Sequence, residues 1–211
     1  MSLRPIIFPL LSCLLAGTAP AALVNIAANT LAEPVRDIFT TLGAPLPAGN
    51  AVRIGTFPAG DPVITPTSTF ASVNALFVPL AEDPVDAADG TSPPLVISSV
   101  LGPGKFAGTI NNVDNADSRF APGTSLYIFV LDADYSNLAA ATQWAIFRDP
   151  AWTIPTTATR TLTTSQIDSQ SEMMVGIQSA GGIRLAVIPE VSSSVLIVMA
   201  AGLTGLRRRR R

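Results

Sequence analysis

Between positions 191 and 206 the chain carries no charged side chain, and five consecutive arginines, Arg207 to Arg211, follow at once. Only Ser192, Ser193, Ser194 and Thr204 bring polar side chains into that stretch. As a helix rising ~1.5 Å per residue it covers about 24 Å, slightly less than a ~30 Å hydrocarbon core, and snorkelling arginines make up the difference. A core helix of a soluble domain seldom ends in such a guanidinium cluster. The segment is therefore predicted to cross a membrane, with the arginines on the cytoplasmic side and the upstream chain outside the cytoplasm. Any globular body has to form from what precedes it.

The first residues point the same way. Arg4 is followed by an apolar stretch over residues 6–15 and then by Ala19-Pro20-Ala21, a small-x-small site before Ala22. This is the layout of a secretory signal peptide over residues 1–21, cut by signal peptidase after passage through the secretion machinery. Cys13 follows Leu10-Leu11-Ser12, which resembles a lipobox only loosely.

Just before the apolar span stand Pro189, Glu190 and Val191, then the three serines, the span and the arginine run. Together they resemble the PEP-CTERM sorting signal of exported bacterial proteins, with Val191 where that family usually has a second proline. The resemblance covers residues 188–211. It implies that Pro189 and Glu190 are the recognised element and that Arg207, Arg208, Arg209, Arg210 and Arg211 are the topological stop. It also implies processing by an exosortase and delivery to the cell surface or extracellular matrix, often alongside exopolysaccharide. It implies nothing about the activity of the body, residues 22–187.

That body has seven basic residues against fourteen acidic ones, and only one of the seven is a lysine. Such a balance argues against nucleic-acid binding, which needs a phosphate-neutralising patch. There is no histidine, and the only cysteine lies in the leader. Ser-His-Asp and Cys-His nucleophiles, His-ligated zinc and disulfide stapling are thereby excluded from the body.

Short apolar runs punctuated by Gly, Pro and Asn predict strands at residues 22–27, 51–57, 106–110, 125–131, 143–147, 160–162, 174–178 and 182–188. Residues 126–131 are apolar on both faces and predict a central, doubly covered strand. Residues 33–42 suit a helix or a strand equally. Phe70, Val73 and Phe77 form a stripe that predicts a helix over 69–78, capped by Thr67 or Ser68 and ended by Pro79. Residues 82–94 read as a polar loop. The expected fold is mainly β: an antiparallel β-sandwich with one short helix, plus the C-terminal transmembrane helix.

Several residue groups can be weighed as sites. Asp132, Asp134, Ser136 and Asn137 alternate oxygens as a calcium loop does, but Asn137 and Gln143 stand where an EF-type loop needs Gly and Glu. Asn111, Asn112, Asp114, Asn115 and Asp117 form a second oxygen-rich group, which turn formation explains as well. Asp132, Asp134, Asp149 or Glu172 could supply a glycosidase-type carboxylate pair. Tyr127, Trp144 and Trp152 are either a sugar-stacking platform or, with Phe147, core. Gly102-Pro103-Gly104-Lys105 lacks the spacing of a phosphate loop and reads as a turn. No catalytic, metal or cofactor set is assigned. The expected role is that of a non-enzymatic exported surface or matrix protein. A carbohydrate-binding module is the alternative, and a carboxylate-based hydrolase the third class.

Overall fold

The computed structural model describes residues 22–65, 68–80, 95–179 and 181–188. Its strands are β1 (Leu23–Asn29), β2 (Asp37–Phe39), β3 (Val52–Thr56), β4 (Val78–Pro79), β5 (Ala107–Asp114) and β6 (Tyr127–Leu131). They continue as β7 (Gln143–Phe147), β8 (Thr159–Thr163), β9 (Met173–Val175), β10 (Ile177–Ser179), β11 (Gly182–Arg184) and β12 (Ala186–Val187). Helix α1 spans Phe70–Asn74, and short 3-10 turns fill several connections. The fold is mainly β, as expected.

The strands make three sheets. The large one runs β12-β7-β6-β3-β4, with β9 also paired to β7; the two smaller ones run β5-β1-β8 and β10-β11-β2. Most pairs are antiparallel, but β1 with β8 and β11 with β2 are parallel, so the all-antiparallel expectation is corrected. Parallel pairing needs long crossovers, and both pairs join segments far apart in sequence.

Residues 126–131 do form the central strand. Every residue of β6 is buried, as is every residue of β3, because both faces of the large sheet are covered. Ile128 and Val130 point to one side with Val52, Ile54, Ala145 and Phe147, where they meet Val24, Ile26, Ala28 and Leu162 of the β5-β1-β8 sheet. Tyr127, Phe129 and Leu131 point to the other side with Trp144 and Ile146, under Val73 of α1 and Phe77. Each such aliphatic or aromatic side chain contributes about 1.5–3 kcal/mol by leaving water.

The helix is shorter than the stripe predicts. Thr69 is the cap, in place of Thr67 or Ser68; its hydroxyl accepts the Ser72 N–H while Ser72 Oγ accepts the Thr69 N–H. Thr67 lies outside the described residues. Phe77 remains buried, but the helix ends at Asn74, and Val78 and Pro79 pair with Thr56 and Gly55. A sheet-edge position accepts a proline that cannot donate. Gly55 makes the approach possible: a Cβ there would lie 2.4 Å from the Val78 carbonyl oxygen.

Two predicted strands are each divided. Gly176, at φ +103°, turns the chain between β9 and β10. Within 182–188, Leu185 donates to the Phe39 carbonyl as the chain passes from a small sheet at β11 to the large sheet at β12. Residues 33–42 resolve as β2 rather than a helix, because Ile38 is wholly buried beside Ile183 of β11. Residues 82–94 lie outside the described residues.

Candidate functional site

The last described strand, β12, is only two residues long and completes the edge of the large sheet beside Trp144 and Gln143. The Ile188 N–H then donates to the Thr142 carbonyl at 2.8 Å. Asp132 braces this corner: it accepts from the Thr142 N–H (2.7 Å), the Thr142 hydroxyl (2.6 Å) and the Gln143 N–H (2.9 Å). Gln143 Oε1 in turn accepts the Thr41 N–H at 2.7 Å, which ties the turn after β2 to the same corner. Beside β12 lies a groove of about 310 Å³, lined by Ile64, Trp144, Met174, Val175 and Val187 among others.

The carboxylates weighed as a catalytic pair are each engaged in holding a turn. Asp134 caps the 3-10 turn Tyr135–Ala140 through the Ser136 and Asn137 N–H groups, and the Ser136 hydroxyl holds its carboxyl below the usual carboxylate range. Asp149 accepts the Ala151 N–H, and Glu172 accepts those of Asp168 and Ser169. In the second oxygen-rich group, Asp114 accepts from Ala116 and Asn115 clamps Ala22 to Pro155 and Thr156. Asp117 accepts from the Arg119 backbone and guanidinium, and that hydrogen-bonded guanidinium lowers its pKa. Asn112 sits at φ +56°, where β5 carries one extra residue against β1. That bulge lets Ile110 and Val113, three apart, both face the core. Among the described residues, no three or more Asp, Glu, Cys or His side chains are grouped to hold a metal.

Of the two readings of the aromatics, the structure shows core. Tyr127 and Trp152 are 1 % exposed and Trp144 2 %, so all three are core. The Trp152 indole N–H is committed to Gln166 Oε1 at 2.9 Å. Interior rings cannot stack on a sugar, and the carbohydrate-binding alternative loses the surface that suggested it. Gly102-Pro103-Gly104-Lys105 is a turn, with both glycines at positive φ and the Gly104 N–H on the Leu46 carbonyl.

No family model, curated protein or solved structure matches this chain.

One cluster joins residues that no sequence motif links. Asp61 accepts the Tyr127 hydroxyl and forms a 2.6 Å ion pair with Arg148. Arg148 also donates to Ser125 Oγ at 2.8 Å and lies 5.3 Å from the Tyr127 ring centroid. Burial first, and the hydrogen bond to Asp61 second, push the Tyr127 pKa up to about 12. The group pins the loop after β3 to β6 and β7. Its polar atoms are turned on one another rather than toward a ligand. No local motif reveals it, because Asp61 and Arg148 are 87 positions apart.

The residues expected to act in export, Ala19, Ala21, Pro189, Glu190 and Arg207 to Arg211, lie outside the described residues. Among the described residues no helix is long and apolar enough to cross a membrane.

Proposed function

We propose that this chain is a non-enzymatic exported protein: a β-sandwich body carried out of the cytoplasm by a cleaved leader and held by a PEP-CTERM-like sorting tail. The tail anchors the body in the inner membrane until an exosortase-type enzyme releases it to the cell surface or matrix. One observation carries this reading, the succession of Pro189-Glu190, an uncharged apolar span and five arginines. Among the described residues, Asp114, Asp132, Asp134, Asp149 and Glu172 each accept hydrogen bonds that hold a turn, which fits a structural body.

Replacing Arg207 to Arg211 with glutamine tests the reading in the full chain. The expected outcome is loss of fixed topology, seen as partial protease access to the body from the cytoplasmic side. Unchanged protection of the body would overturn the assigned stop. The mass of the released native form reports both cuts; a species retaining residues 1–21 and the tail would overturn the export pathway.

A further inference from the structure

The corner where the chain leaves the large sheet carries an exposed apolar rim. Leu42 is 93 % exposed at the turn that Thr41 ties to Gln143, and Val187 is 64 % exposed on β12 itself. Ala139 and Ala140, also exposed, lie in the 3-10 turn that precedes Thr142, the partner of Ile188. The Arg184 guanidinium packs beside the same turn, 3.3 Å from where a Cβ on Gly43 would stand. The acidic side chains at this corner are hydrogen-bonded to neighbouring donors: Asp132 to Thr142 and Gln143, and the exposed Asp134 to Ser136 and Asn137. An apolar rim with one cation beside it and its carboxylates engaged has the chemistry of a lipid-headgroup contact.

The length of chain between body and span decides the occupant. Ile188 is hydrogen-bonded to the sheet, and the uncharged span starts at Val191. Three residues at ~3.3–3.6 Å each reach about 10 Å at most, so no spacer separates the sheet corner from the bilayer. We infer that, in the tail-bearing form, the rim of Leu42, Ala139, Ala140 and Val187 rests in the headgroup layer of the membrane that holds the tail, with Arg184 toward the lipid phosphates. This rests on the sorting-tail reading above. Release of the tail frees the rim from lipid, so the body has one fixed orientation before processing and none afterwards.

The mature body lacks cysteine, which permits single-site labelling. Leu42→Cys and, as control, Ala151→Cys are made in the full chain, in a host that leaves the tail in place. Ala151 follows the opposite end of β7 from Gln143. Each protein is labelled with an environment-sensitive fluorophore and reconstituted in phosphatidylethanolamine/phosphatidylglycerol vesicles containing a headgroup-nitroxide lipid. With only about 10 Å of reach, quenching at position 42 should exceed that at 151 about three-fold. A flexible Gly/Ser linker of about 12 residues inserted after Ile188, spanning roughly 20 Å, should bring position 42 down to the control. Equal quenching at 42 and 151 in a protein that resists carbonate extraction overturns the contact but keeps the anchor. Release by carbonate overturns the anchor, and the contact with it. Quenching at 42 that the linker does not reduce overturns tethering as its cause.

Discussion

The two faces of the large sheet are built on different plans. One is mainly aliphatic and strand-covered: Val52, Ile54, Ile128 and Val130, with Phe147, meet the inward residues of β1, β5 and β8. The other is aromatic and roofed by one short helix and connecting loops, with Phe57, Phe77, Tyr127, Phe129 and Trp144 in edge-on or tilted contact at 4.9–5.5 Å where they pair directly. Among the described residues, the charged side chain that is buried as a whole lies on the aromatic face. Arg53 is 1 % exposed, with its guanidinium 5.1 Å from the Phe77 centroid and 5.8 Å from that of Phe129, and it donates to Asn74 Oδ1 at the end of α1. A strand roof supplies its own backbone partners. A five-residue helix is too short to hold itself, and here a cation fastened to its last residue keeps it in place.

The comparison can be broken by matched truncations. Phe129→Ala and Phe147→Ala remove one ring from each face and should each cost about 3–5 kcal/mol, read from urea midpoints. A much smaller loss at Phe129 would mean that the helical roof collapses into the space and that the two faces are not equally packed. Arg53→Met sharpens the contrast. It keeps most of the volume but strands the Asn74 carbonyl oxygen, and should cost about 1–2 kcal/mol. Adding Asn74→Ala to that variant should lower stability little further; full additivity would show that the pair is not what fastens α1.

The last test is one of pH. Tyr127, on the aromatic face, has its pKa raised from 10 to about 12 by burial and by the bond to Asp61. The folded state therefore holds this proton more tightly than the unfolded chain does. The stabilisation is complete below pH 10 and is lost as pH rises from 10 toward about 12. Tyr127→Phe should flatten the fall in urea midpoint across that window. An equally steep fall in the variant would place the titration elsewhere.

How much of this the sequence discloses depends on range. The doubly apolar run at β6 identifies the central strand because nothing but burial on both faces explains it. The alternation at β3 is legible, but the burial of Arg53 is not: its justification is Asn74, supplied by a different element. Phe70, Val73 and Phe77 correctly mark buried positions, yet helical spacing overstates the helix, since Gly55 draws Val78 and Pro79 into the sheet. The bends at Gly176 and Leu185 are invisible to periodicity, which both halves of each segment satisfy. Among candidate sites, the turn-forming habits of Asp and Asn anticipate what Asp134 and Asp114 do. The Tyr127 and Trp152 environments depend on Asp61 and Gln166, contacts that no local pattern encodes.

The first strand of the body lies in the middle of its sheet, between β5 and β8. Its partners are residues 107–114 on one side and 159–163 on the other. In a body exported as proposed, β1 would emerge first and could not be paired on both edges until residues 159–163 had followed. Closure of this sheet is thus postponed by its own connectivity, which would keep such a chain threadable while it crosses.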